Sequence, residues 1–255
     1  MPHNHRRPGY RTVTPGFSVN GSAAFLDFLK RAFDAREGDI HWNEDRSIGH
    51  GEIHIGDSLI EVSEAKPQWP ARPCSVHFYV PDTDACYARA IAAGARSVRA
   101  PENAPYGDRA AAVRDAAGND WFIATRLEGP PVPDGFHSIT PYVITPGADA
   151  VMAFAKAVVG ATERIRVPAD NGGVMHAEVQ VDDSVIEFSD GSAEWPPRPA
   201  SLHVYVADPD AAYRKALDAG ATSLYGPTDQ PYGDRECGVA DSAGNNWFLA
   251  SHQSR

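Results

Sequence analysis

The sequence predicts an α+β chain, a tandem repeat of paired βαβββ modules whose mixed sheets curve into cups. Three observations predict it. The stretch Trp69 to Val80, WPARPCSVHFYV, returns 126 residues later at Trp195 to Val206 as WPPRPASLHVYV. The same shift carries His50 onto His176, Glu61 onto Glu187 and YGDR at 106–109 onto 232–235, with no gap between 12–125 and 138–251. Within each copy, segments of period two surround a segment of helical period, and that order occurs twice.

In the first copy, TVTPGFSV (12–19) reads as a strand whose proline suits an edge or leading position. SAAFLDFLKRAF (22–33) places Ala24, Phe25, Phe28, Leu29 and Ala32 on one side of a helix. GHGEIHIGD (49–57) and SLIEVSE (58–64) alternate, with Gly56-Asp57 as the hairpin signal between them. After the loop KPQWPARP, SVHFYV (75–80) is a strand and TDACYARAIAAG (83–94) a helix, capped by Asp82 or Thr83 and ended by Gly94. SVRAP, RAAAVRD and DWFIAT give three more strands, the last reached through the AGN turn at 117–119. The second copy follows suit, so the chain holds four modules. The domain boundaries expected are a disordered tail at 1–9, a domain at 10–127, the proline- and glycine-rich linker EGPPVPDG at 128–135, and a domain at 136–252.

Alternation assigns faces. Ile53, Ile55, Ile60, Val62, Val76, Phe78 and Val80 belong under helices, so His50, Glu52, His54, Glu61, Ser75, His77 and Tyr79 belong on the opposite, concave side. The candidate ligand-binding residues on that side are His50, Glu61, His77, Tyr79, Tyr106 and Phe122, with His176, Glu187, His203, Tyr205, Tyr232 and Phe248 in the second copy. Trp69 and Trp195, in the loops between modules, either plug the domain core or add an aromatic wall suited to a planar ligand. Trp121 and Trp247 alternate onto the covered face, as core. Asp108-Arg109 and Asp234-Arg235 read as turn salt bridges, or else as holders of an anionic ligand.

A net charge of −11 speaks against nucleic acid and against anionic membrane surfaces as partners. No apolar run approaches the 18 or so residues of a transmembrane helix, and the basic N-terminus has no apolar stretch behind it to make a secretory signal. Cys74, Cys86 and Cys237 form neither a disulfide framework nor a zinc pattern, so a reducing cytoplasm is expected. Neither a Ser-His-Asp nor a Cys-His nucleophile spacing is present, nor a phosphate loop.

The paired βαβββ modules, the H-x-Y-V strand-helix junction and the P-Y-G-D-R…D-x-x-G-N-x-W ending resemble the glyoxalase/bleomycin-resistance superfamily, the vicinal oxygen chelate fold, and within it the PhnB-like and bleomycin-resistance branch. The resemblance covers nearly all of the chain. It implies metal-ligand positions at Thr14, Glu61, Ser75 and Phe122, and at Thr140, Glu187, Ser201 and Phe248. Only the glutamates are good donors, and a catalytic metal needs about three. The expectation is therefore a protein without a metal or other cofactor, binding and sequestering an aromatic or apolar small molecule as the antibiotic-resistance members of the family do. The alternative is a divalent-metal-dependent lyase, isomerase or dioxygenase with Fe, Mn, Zn or Ni on a displaced set, His50, Glu61 and His77. The expected assembly is a monomer acting as a pseudo-dimer, or a homodimer.

Overall fold

The computed structural model describes residues 5–253. The first module runs β1 (Val13–Val19), α1 (Ser22–Phe33), β2 (Arg36–Trp42), β3 (Ile48–Ile55) and β4 (Ser58–Glu64); the second, β5 (Ser75–Tyr79), α2 (Thr83–Ala92), β6 (Arg96–Asn103), β7 (Asp108–Arg114) and β8 (Asp120–Arg126). The third runs β9 (Ile139–Thr145), α3 (Ala148–Val159), β10 (Thr162–Pro168), β11 (Val174–Val181) and β12 (Ser184–Asp190); the fourth, β13 (Ser201–Tyr205), α4 (Pro209–Asp218), β14 (Thr222–Asp229), β15 (Asp234–Ala240) and β16 (Asn246–His252). The α+β class and the βαβββ order are as the sequence predicts. The strands β2 and β10 carry little alternation because both are mostly exposed edge strands with many charged residues.

The strands form two eight-stranded mixed sheets, ordered β14-β15-β16-β13-β1-β4-β3-β2 and β10-β11-β12-β9-β5-β8-β7-β6. The chain divides into two compact units, Gly16–Pro141 and the residues before and after it. The unit boundary falls inside β1 and β9. Val13 to Pro15 pair with β13 in one unit, and Ile139 to Pro141 pair with β5 in the other.

Each unit has its own core. In Gly16–Pro141, α1 turns Phe25, Leu26, Phe28, Leu29, Ala32 and Phe33 onto Ile53, Ile60, Val76 and Phe78, and Phe17 stacks on Trp121 at 5.4 Å. In the other unit, α3 sets Phe154 against Trp247 at 5.5 Å, over Val179, Phe188, Leu202 and Val204. Trp121 and Trp247 are fully buried core residues. Burying one such side chain contributes on the order of 3 kcal/mol.

The D-x-x-G-N-x-W motif has a mechanical explanation. Asp115 accepts from the Asn119 amide at 3.0 Å, its side chain at 2.9 Å and Trp121 Nε1 at 2.9 Å. Asp241 does the same for Asn245 and Trp247. Gly118 and Gly244 take φ of +93° and +85°, a left-handed turn that side chains resist. Asn119 and Asn245 also accept from the amides of Cys74 and Ala200, tying the last hairpin of each repeat to the start of β5 or β13.

Candidate functional site

The fourth module carries a polar and aromatic cluster on a sheet face turned away from the core. Along β13, Leu202 and Val204 enter the core, which puts Ser201, His203 and Tyr205 on the other face. Strand register then fixes a row across the sheet: Thr14, His203, Phe248, Gly238, Tyr225. Glu236 stands two residues before Gly238 on the same face. Its carboxylate accepts the Tyr225 hydroxyl, accepts the Tyr232 hydroxyl at 3.3 Å, and lies 3.4 Å from His203 Nε2. Tyr225 stacks on Phe248 with centroids 6.2 Å apart. Gly238 makes room for that ring, since a Cβ there would sit 2.6 Å from Tyr225 Cε1. Tyr10 meets His203 and Tyr205 edge-on at 5.9 and 5.6 Å. Tyr205 donates to buried Asp234 at 2.8 Å, and His252 Nδ1 lies 2.6 Å from the same carboxylate. Burial, and then the Glu236 charge and hydrogen bond, raise the Tyr225 hydroxyl above its ordinary range, so it remains a proton donor to Glu236.

The second module repeats the geometry with other chemistry. Its row is Thr140, His77, Phe122, Ala112, Arg99. His77 stacks on Tyr79 at 4.3 Å, Phe136 meets Tyr79 edge-on at 5.7 Å, and Tyr79 approaches Asp108 at 3.5 Å. Tyr106 is exposed, as is Tyr232. Thus the predicted residues His77, Tyr79 and Phe122 share one face, and so do His203, Tyr205 and Phe248.

Sequence reasoning did not single out Tyr10, Phe136, Tyr225 or Glu236. The signal for the last two was in the repeat itself, which sets Arg99 against Tyr225 and Ala110 against Glu236.

In the first module, Glu52 and Glu61 face each other across β3 and β4, while His50 is exposed and pairs in register with His41. In the third, buried Glu187 faces Glu178 and Tyr142. His176 lies 3.4 Å from Glu178, which also receives Arg164 at 3.3 Å. Burial alone would lower the His176 pKa; the Glu178 hydrogen bond and the charges of Glu187 and Glu178 raise it overall.

Trp69 and Trp195 are half-buried in the loops ahead of β5 and β13, with backbone bonds to Lys66 and to the Ser192 side chain respectively. The Asp-Arg turn pairs are corrected. Adjacent strand residues point to opposite faces, so Asp108 turns to Tyr79 while Arg109 makes two bonds to Asp84 on α2, at 2.8 and 2.7 Å. Arg235 likewise grips Asp210 on α4. Those arginines clasp helix to sheet. A separate cleft of about 720 Å³, bounded by Arg6, Val158, Asp182, Tyr205, Ala212 and Lys215 among others, borders α3 and α4.

Comparison with known proteins places these observations. The family model described as Glyoxalase/Bleomycin resistance protein/Dioxygenase superfamily matches residues 13–123 and 135–249. An uncharacterized protein of Mycobacterium bovis is 31% identical over 123 residues, covering 44% of this chain and 81% of its own length. A Mycobacterium tuberculosis protein has the same identity over 72% of its length. Among solved structures, glyoxalase I from Zea mays superposes with a TM-score of 0.69 at 13% identity, over 94% of this chain and 92% of that one. A single-substitution variant of it gives 0.71 at 11%. At such identity the likeness is one of fold.

These neighbours correct the expectation of a protein without a cofactor. Glyoxalase I is a metal-dependent enzyme of the superfamily, and no comparison speaks for a cofactor-free protein. The residues themselves do not assemble an obvious metal centre. Among the described residues no group of three or more His, Cys, Asp or Glu side chains is placed to hold a metal ion, and the family ligand positions supply Glu61 and Glu187 beside Thr, Ser and Phe. No described helix is long and apolar enough to cross a membrane. With both repeats matched end to end and the βαβββ order present four times, the chain belongs to the Glyoxalase/Bleomycin resistance protein/Dioxygenase superfamily as a tandem two-domain member.

Proposed function

We propose that this protein is a lyase- or isomerase-type enzyme acting on a small carbonyl compound, with His203 as its proton-transfer group. This replaces the expectation of a sequestering protein. The observation that carries it is the Glu236 carboxylate, which receives two tyrosine hydroxyls and stands 3.4 Å from buried His203. An imidazole can take and give a proton, and a carboxylate beside it orients the ring for that transfer. Tyr225 and Tyr232 fix Glu236, so that the pair is organised before substrate arrives. Phe248 and Tyr10 give flat apolar surfaces beside the ring on which a small molecule can rest. Here the chain's own contribution is to hold and move the proton.

The test is deuterium incorporation at the carbon next to the carbonyl, followed by proton NMR in D₂O across a library of small carbonyl compounds. Each is run with chelator and with added Mn, Fe, Zn or Ni. Catalysed exchange that falls about 100-fold in Glu236→Gln is the expected result. No exchange under any metal condition, or an unchanged rate in Glu236→Gln, would overturn the proposal.

A further inference from the structure

The two repeats carry the same row of residues on β13–β16 and on β5–β8, and they differ where charge is concerned. Tyr225 in the fourth module corresponds to Arg99 in the second, Glu236 to Ala110, and Gly238 to Ala112. One face therefore carries a buried carboxylate, and its copy a guanidinium with only methyl groups between it and Phe122. The register Arg99–Ala112–Phe122–His77 sets Arg99 about three strand spacings, some 14 Å, from His77 on the backbone. An extended arginine crosses roughly half of that gap. Its Nε is buried and makes no hydrogen bond among the described residues, and its ionic contact with Glu102 is long, at 3.8 Å. Glu102 is itself well exposed, so water screens that pair. Ser75, on the face of His77, also has a buried hydroxyl without a hydrogen-bond partner. A buried arginine N–H and a buried serine hydroxyl left unbonded each cost free energy that an acceptor would recover.

We infer that the open face of the second module is a binding site for a small aromatic carboxylate, with Arg99 as the group that recognises the anion. The guanidinium fork matches the two oxygens of a carboxylate and is charged at every accessible pH. Half-exposed Phe122 and the stacked His77–Tyr79 pair offer flat surfaces for the ring. Arg109 is not a competitor for the anion, because Asp84 engages its Nε and Nη2 and Asn103 accepts from its Nη1. The site differs in ligand charge from the face bearing Glu236 and does not depend on the reaction proposed there.

The experiment titrates the full chain with benzoate, and separately with benzylammonium, following nitrogen–proton correlation spectra that include arginine Nε–H. Benzoate should move the Arg99 Nε–H signal and the amides of β5 and β8, while benzylammonium leaves them in place. Arg99→Tyr, which restores the residue of the sister module, should weaken benzoate at least 10-fold with the folded spectrum retained. Arg99→Gln should do the same, and Glu236→Gln should not. Benzoate that leaves Arg99 Nε–H unmoved, or that binds both Arg99 variants as tightly as the unaltered protein, would overturn the inference. Equal shifts with benzylammonium would do so too, by showing that charge is not read.

Discussion

Glu236 and Gly238 show how two residues on one strand set the character of a face. Glu236 gathers Tyr225, Tyr232 and His203, and Gly238 lets the Tyr225 ring lie flat over the strand. A methyl at position 238 would push the ring away. Gly238→Ala is therefore expected to lower the exchange rate about 10-fold while the unfolding free energy stays within about 1 kcal/mol, since alanine suits a strand better than glycine. Urea unfolding and the exchange assay on one preparation separate the two effects. Asp241 is the opposite kind of residue, structural throughout. Asp241→Ala would leave Asn245 and Trp247 Nε1 as buried donors without their acceptor, at a cost of about 3 kcal/mol or more. A measured loss below about 1 kcal/mol would show that the turn finds other partners.

At the scale of elements, each repeat's central hairpin is pinned by one aspartate. Asp57, at the β3–β4 turn, accepts from the Ser138 amide at 2.7 Å and pairs with His137 at 2.9 Å. Asp183, at the β11–β12 turn, accepts from the Thr12 amide at 2.9 Å and pairs with Arg6. Burial would raise both carboxyls, but these donors hold each at about 2, against an ordinary 3.8. The native chain thus binds these protons less readily than the unfolded chain. The stabilisation is present above pH 4 and is lost as pH falls toward 2. For Asp183, about a quarter exposed, it is on the order of 2 kcal/mol; for Asp57, half exposed, screening leaves less than about 1 kcal/mol. Asp183→Asn should lower stability at pH 7 and flatten its dependence between pH 5 and 2.5. Parallel pH profiles for variant and unaltered protein would contradict this.

At the scale of the whole molecule, the repeat made the module order and both cores legible, because strand alternation and helical spacing are local properties. Ile53, Val76 and Trp121 could be assigned to the covered face without any structure. Sheet pairing was not legible, since the edges of β1 and β9 carry no label for the strand they join. The candidate site was half legible. His77, Tyr79, His203 and Tyr205 follow from alternation along β5 and β13, whereas Tyr225 and Glu236 lie on β14 and β15, where bulges between Ser223 and Thr228 interrupt the register. Tyr10 and Phe136 stand ahead of the first strand of their modules, where no periodicity points to a face. The shared arginine clasps, Arg109 to Asp84 and Arg235 to Asp210, are not legible in the sequence, because their partners lie 25 residues away on a helix and not at the neighbouring aspartate.

On the proposed function, the fourth module's open face does the chemistry and the second module's copy does not. Two swaps that give each face the residue of its sister test this through the rate of deuterium exchange at the carbon next to the carbonyl. Glu236→Ala, which copies Ala110, should lose about 100-fold. Arg99→Tyr, which copies Tyr225, should stay within about threefold, a residue off the pathway of the proton. Equal losses in the two variants, or a Glu236→Ala protein as fast as the unaltered one, would contradict the account.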